Sequence, residues 1–496
     1  MSVNTSLNRL ADDAFGPAEA RHLLRRAAFG PEPGQADRLA AMGLPAAVDQ
    51  FVDDERPAED DLPQPAVDPD LLRPYTQEER RALQAARRAG DQATLDRFTA
   101  ERQRRLNRDR AMFRGLQEWW LDVMLRTPRP LHENLALLWH SHFATRHRNV
   151  RNTYHMFQQN ALFRTHAIGS FARLVRGIVR DPAMLRFLNN DRNRRSQPNE
   201  NLARELMELF TLGEGNYAEH DIREAARALT GYHVEHNDFR FNQRQHDHGP
   251  KAILGRRDRF NGDELATHLL RRNACAQFVA FKLYRHFVAD VTLDRITPAQ
   301  ASVVRQLGAL VRQSDYRIAP VLKALFESQH FYDASVVGQR IKSPVQMLVG
   351  TVRMTGCPAR QPRLWRIAMD QLGQTLFDPP SVAGWDGGRS WVNTSTLFTR
   401  QNLCLYLLTG HSAAGPRNRD HEPFDPTPLV ADLPDRSPAA VVNALVNQLV
   451  GDHVPAARRE PLVRELQRRT DGGGLNAESL TALLVLITTM PEYQLC

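Results

Sequence analysis

Apolar residues recur with the 3.6-residue period of an α-helix along almost the whole 496-residue chain, and the two-residue alternation of strands is nearly absent. A chain patterned this way has to bury helix against helix, so the expected fold is all-α. The spacing predicts helices at 17–29, two more within 34–52, and others at 130–147, 152–168, 170–180, 198–212, 219–231 and 262–288. A further set falls at 297–313, 318–329, 338–355, 360–374, 393–410, 438–451, 456–470 and 477–490. Thr76, with Glu79 at capping-box spacing, opens a charged stretch that turns apolar only near Phe113, Leu116, Trp119 and Trp120. It reads as an exposed helical hairpin feeding one buried helix. Strands are expected only around 231–242 and 251–254.

Breaks in this pattern give the organisation. Residues 56–74 are rich in Pro and Asp, and 412–437 carries a run of prolines. The expected layout is therefore N-terminal helices and linker over 1–75, a main body over 76–411, a Pro-rich loop over 412–437 and a C-terminal helical subdomain over 438–496.

Composition removes several classes. With 42% hydrophobic and 25% charged residues the chain lies in the folded range, and no window is apolar enough to span a membrane. No apolar h-region follows the first residues, which predicts a cytoplasmic protein. The four cysteines, Cys275, Cys357, Cys404 and Cys496, are too far apart for a CxxC module. Cys275 and Cys404 sit on apolar stretches and are expected to be buried. The net charge is +8, and only four of the 65 basic residues are lysine. The arginines are scattered, usually beside acids, and no nucleic-acid reading module accompanies them, so a solvated basic surface is expected rather than a nucleic-acid face.

Four segments carry groups capable of chemistry. In Trp139-His140-Ser141-His142-Phe143-Ala144 the two histidines lie two residues apart, roughly 200° around a regular helix, and cannot share a metal there. In the helix opened by Pro198, Leu202, Leu206 and Leu209 make one stripe while Asn201, Arg204, Glu205 and Glu208 make another. That polar stripe is either an ordinary solvated face or a set of carboxylates turned into a cavity with Arg204 as an anion clamp. His246-Asp247-His248-Gly249-Pro250-Lys251 is a loop with a His-x-His half-site that would need ligands from elsewhere. The segment from Gly384-Trp385-Asp386 to Asn393 places aromatic faces beside amides, as sugar-binding surfaces do, although packing explains them equally well.

Together these segments resemble the bacterial family called domain of unknown function 1800. The matching pieces begin with His22 to Gly30, Trp139–Ala144, Asn199-Glu200-Asn201 through Gly213, and Asp221 through Gly231. They continue with His246 to Gly255, Lys342-Ser343-Pro344-Val345 and the loop from Gly384 to Asn393. The resemblance implies a predominantly helical, often exported protein associated with a sulfatase-like partner, and leaves the reaction open. Phe210 stands where the family usually has a histidine, and no export signal is visible.

The expectation drawn from residues and resemblance is that the polar motifs converge on one cavity of an enzyme, a hydrolase or lyase acting on a polar substrate such as a glycan. Glu205 and Glu208 are the acid/base candidates, assisted by His140, His142, His246 and Asp247, with Glu205 facing one of the first two histidines. Asn199, Asn201, Arg204, Lys251, Trp385 and Asn393 are the substrate-binding candidates. No residue is assigned to a metal and no cofactor is assigned. The rival expectation is a non-catalytic subunit that docks a sulfatase-like protein or a polymer, its polar residues forming a hydrogen-bond network.

Overall fold

The computed structural model describes residues 6–53, 64–411, 420–471 and 474–496, and 61% of the chain is helical. Among the described residues there are 22 α-helices and two small antiparallel hairpins, Tyr232–Glu235 with Asp238–Phe241 and Lys251–Ile253 with Arg256–Asp258. The protein is all-α, as its periodicity requires.

Local signals set most boundaries. The side chains of Thr76, Thr297 and Ser343 cap the helices Gln77–Ala89, Pro298–Gln313 and Pro344–Thr355, each answered by Glu or Gln three residues on. Proline stands in the first turn of the last two, where its missing N–H costs nothing. Several boundaries differ from the expectation: the stretch 130–147 ends at His142 and 338–355 begins at Pro344, and three further differences change the layout. The exposed hairpin and the buried helix merge, since its second arm is one 35-residue helix, Gln92–Arg126. The stretch 262–288 divides into Gly262–Leu270 and Asn273–Phe287. A short helix, Pro182–Phe187, capped by Asp181, lies where none was read.

One hydrophobic core runs from the N-terminal helix Pro17–Ala27 to Tyr493, with Trp120, Trp139 and Trp365 wholly enclosed. The C-terminal helices Pro438–Leu449 and Ala477–Thr489 join it, and the chain end pairs with the segment before Pro344. There the Lys342 amide donates to the Gln494 carbonyl at 2.8 Å and the Cys496 amide to the Arg340 carbonyl at 2.8 Å. Of the Pro/Asp-rich linker, residues 54–63 lie outside the described residues, and 64–70 are mostly exposed before Leu71 turns into the core. Residues 412–419 of the Pro-rich loop also lie outside them. All four cysteines, Cys275 and Cys404 among them, are buried.

Not every arginine is solvated. Arg26 and Arg400 are fully enclosed, and each donates to a backbone carbonyl of a distant segment: Arg26 to Val336 at 2.8 Å, Arg400 to Lys342 at 2.8 Å. Arg360 reaches the Leu407 carbonyl at 3.0 Å, and Arg353 the Thr127 carbonyl at 3.3 Å. A guanidinium offers five donors in a rigid fork and so can satisfy carbonyls that no secondary structure reaches.

Candidate functional site

A cavity of about 110 Å³ opens between the C-terminal end of helix Pro130–His142, the helix Asn273–Phe287, the first turn of Pro344–Thr355 and the loop 383–391. Three of the motifs singled out in the sequence meet here: the Trp139–Ala144 segment, the Lys342–Val345 segment and the Gly384–Trp385 loop. Glycine makes the approach possible. Gly384 has φ +83°, and a Cβ on it would stand 2.2 Å from the Ser141 carbonyl oxygen. The loop can therefore lie directly on the helix end and lay the Trp385 indole into the cavity.

Basic groups dominate the lining. Lys282, Arg285 and Arg340 face Asp290 and Asp386. Asp290 lies 3.5 Å from Arg340 and also accepts from the Ile341 amide at 3.3 Å, whereas Arg285 donates to the backbone carbonyl of Asp386. Lys282 makes neither a hydrogen bond nor an ion pair with any described residue, and lies 4.9 Å from the centre of the Phe278 ring. Burial, with Arg285 adding to it, lowers its ammonium to about 8. The helix behind Ser343 directs its positive end into the same space, its first amides being capped by Ser343 and by the Gln374 side chain.

Four buried polar atoms of the lining residues have no hydrogen-bond partner among the described residues: Nδ1 of His142, Nε1 of Trp385, and Nε and Nη1 of Arg340, of which Nε keeps only its ion-pair contact with Asp290. The proton on His142 follows from its other nitrogen. Nε2 lies 3.0 Å from the Phe210 carbonyl, which only accepts, so Nε2 donates and Nδ1 carries a lone pair. Burial, reinforced by Lys282, pushes this imidazole down to about 3 and keeps it neutral. The cavity thus offers several donors for negative charge and, besides its carboxylates, one unpartnered neutral acceptor for a hydroxyl or amide, His142 Nδ1.

The other candidate residues lie elsewhere. His140 accepts from the Phe377 amide at 2.9 Å and is enclosed by the rings of Trp120, Phe163, Phe377 and Trp385; burial lowers it to about 3. It holds the loop that carries Trp385. The two histidines use Nε2 in opposite senses, because one faces a backbone amide and the other a carbonyl.

The polar helix changes character partway. Asn201–Glu205 is α-helical, but Leu206–Thr211 is a π-helix, with the Leu212 amide bonded five residues back to the Met207 carbonyl at 2.8 Å. The buried set consequently repeats every four residues, as the pairs Leu202/Ala203, Leu206/Met207 and Phe210/Thr211, and Leu209 leaves the stripe expected of it. Glu205 and Glu208 lie between those pairs, half-buried. Burial, with Glu208 adding to it, raises Glu205, and Glu208 accepts from the Tyr217 hydroxyl at 2.5 Å. Neither carboxylate forms a hydrogen bond or ion pair with His140 or His142 among the described residues. Arg204 pairs with Glu219 at 2.7 Å and Glu200 at 3.1 Å. Asn199 accepts from the Asn201 amide at 2.9 Å, and Asn201 is exposed.

The His246–Lys251 loop is a latch. Asp221, Glu224 and Arg227 fall three residues apart on one face of helix Glu219–Ala228 and bond, in turn, the Leu254 amide at 2.7 Å, the Ala252 amide at 2.9 Å and the Asp247 carboxylate at 2.7 Å. Lys251 is enclosed and donates to the carbonyls of Asp247 and Gly249 at 2.5 and 3.1 Å, and His246 Nδ1 lies 2.8 Å from the Thr230 carbonyl. Asn393 is exposed and caps helix Thr394–Thr409. Among the described residues no three His, Cys, Asp or Glu side chains gather as a metal site requires.

Sequence reasoning placed His142 and Trp385 in the cavity and missed Lys282, Arg285, Asp290, Arg340 and Gln374. The available signal was Lys282 itself, one of four lysines, set three residues before Arg285 in a helix whose middle is largely apolar. No helix among the described residues is long and apolar enough to cross a membrane. No curated protein and no solved structure matches the chain. The profile described as protein of unknown function DUF1800 matches residues 22–495, almost the full length, and the chain belongs to that family.

Proposed function

We propose that the protein binds a small polar ligand carrying both an anionic group and a hydroxyl, with a sugar acid as the simplest example, in the cavity around Lys282. The observation that carries this reading is the convergence of an unpaired ammonium and two guanidinium groups with the unpaired Trp385 Nε1 and His142 Nδ1. Buried polar groups are normally hydrogen-bonded, and a ligand carboxylate with its neighbouring hydroxyl would satisfy the donors and the acceptor together. At about 110 Å³ the space suits the end group of a ligand; clefts for drug-sized molecules run to about 300–1,000 Å³. Thermal unfolding with D-galacturonate and with galactose tests the proposal. The acid should raise the midpoint and the neutral sugar should not, and R340Q should abolish the effect. Equal response to both sugars would refute it.

A hydrolase or lyase acting on a polar substrate such as a glycan is the second reading. It is favoured by Glu205, a carboxyl raised by burial and by a like charge, at the point where the α-helix passes into the π-helix that carries Glu208, the partner of Tyr217. Release of reducing ends from acidic glycans, lost in E205Q and E208Q, would support it, and activity surviving both substitutions would exclude it.

A further inference from the structure

A second concave surface lies on the far side of Phe171, whose ring packs against both His142 and Tyr316. It has a volume of about 760 Å³ and runs between helix Phe171–Ile178, the end of helix Gly262–Leu270 and the turn 315–317. Arg173, Arg176, Arg271 and Arg317 line it, and Asp315 is the one carboxylate among its lining residues. Arg173, Arg176 and Arg271 are exposed, and their guanidinium groups make no hydrogen bond or ion pair with a described residue. Other exposed arginines, Arg81, Arg87 and Arg88 among them, are also unpaired; what sets these three apart is that they share one concave surface with a single carboxylate.

The floor is a strained turn held by several hydrogen bonds. Asp315 and Tyr316 adopt φ +49° and +62° in succession, a left-handed conformation that side chains disfavour. Four hydrogen bonds hold it: Tyr316 OH to the Leu270 carbonyl at 2.5 Å, the Tyr316 amide to Val311 at 2.9 Å, the Phe171 amide to Tyr316 at 3.0 Å and the Ile318 amide to Gly169 at 2.8 Å. Strain kept in this over-determined way is a feature of binding sites, because it fixes the groups around it before a ligand arrives.

We infer that this groove binds a segment of an acidic polysaccharide through its carboxylates or sulfates. Free guanidinium forks suit planar or tetrahedral oxyanions. Arg173 and Arg176, three residues apart on one helix, are offset by roughly 4.5 Å along its axis, close to the length of one sugar unit. A single-stranded nucleic acid would call for a row of exposed rings on which successive bases stack; of the two rings in the lining, Tyr316 is buried with its hydroxyl engaged, and His166 alone is half-exposed.

Binding of the full chain to fluorescent oligogalacturonate, dextran sulfate, neutral dextran and oligo-dT tests the inference. The two acidic glycans should bind and neutral dextran should not. The R173Q/R176Q/R271Q triple variant should weaken both at least tenfold, and the slope of log Kd against log salt should fall by about two to three. The control triple R81Q/R87Q/R88Q, on the exposed helix Gln77–Ala89, should bind within twofold of the parent. R173K/R176K/R271K keeps the charge but loses the fork, and should lie between the parent and the glutamine variant. Circular dichroism confirms that each variant is folded. Equal losses in the control, oligo-dT bound as tightly as the glycans through the same arginines, or no glycan binding by the parent would each overturn the proposal.

Discussion

Replacing Lys282 with methionine keeps the length and apolar character of the side chain and removes only the ammonium. In the folded protein this ammonium is lowered from 10.5 to about 8. At about 1.4 kcal/mol per pKa unit the charged form is disfavoured by roughly 3 kcal/mol, and residual solvent contact together with the Phe278 ring reduces that to about 1–3 kcal/mol at pH 7. The sign follows from linkage. Between about pH 8 and 10.5 the unfolded chain binds the extra proton, so wild-type stability rises across that window and the penalty is fully present below it. K282M should therefore be more stable than wild type by about 1–3 kcal/mol at pH 7 and should lack the alkaline rise. Urea unfolding at pH 7 and pH 10, with and without D-galacturonate, measures both effects. Ligand at a hundred times its Kd should stabilise wild type by about 2.7 kcal/mol, and the variant far less. A variant less stable than wild type without ligand, or one that gains as much from it, would show that Lys282 is not an unpaired charge awaiting an anion.

Gly384→Ala forces a Cβ into the Ser141 carbonyl from a left-handed backbone, and should cost about 2 kcal/mol or more. Thermal unfolding reads this cost, and Trp385 fluorescence reports the displaced loop. Asp181 is raised to about 7 by burial while accepting from Gln159 at 2.8 Å and Met184 at 2.7 Å. Its folded pKa exceeds the unfolded value, so its stabilising effect is complete below about pH 4 and is lost as pH rises through 7; Asp181→Asn, measured by denaturation from pH 4 to 8, should flatten that decline. Burial pushes the Cys275 and Cys404 thiols up to about 12, so both should react with a thiol reagent only on unfolding, and fast labelling of either in native buffer would contradict the packing.

The helices were legible because their ends carry local chemistry, as Thr76 with Glu79 and Ser343 with Pro344 demonstrate. What escaped depends on contacts made across the fold. Residues 92–112 are too charged to reveal that they continue into a buried helix; that half is held by helix Gln77–Ala89 alongside it. The π-helical slip at Leu206 cannot be read from a 3.6-residue template, and it decides that Phe210 rather than Leu209 is buried. Asp247 and Lys251 look like free functional groups in one dimension, and Arg227 and two carbonyls occupy them in three. Lys282 was hidden for the opposite reason, since Lys282 and Arg285, one turn apart near the end of a helix, look like its solvated edge until their neighbours are known.

The enclosed arginines bear on the order of events in folding. Arg26, Arg353 and Arg400 each bond a carbonyl remote in sequence, so none can shed its water before those segments have met. Desolvating a guanidinium belongs to the last stage of assembly, after the transition state has closed the longer loops. Interactions formed that late slow unfolding and leave the folding rate almost untouched. Arg400→Lys, which keeps the charge and loses the fork, should therefore steepen the loss of native protein over time far more than it delays refolding. These few enclosed arginines would then act as kinetic locks, prolonging the lifetime of the contacts they make between distant parts of the fold.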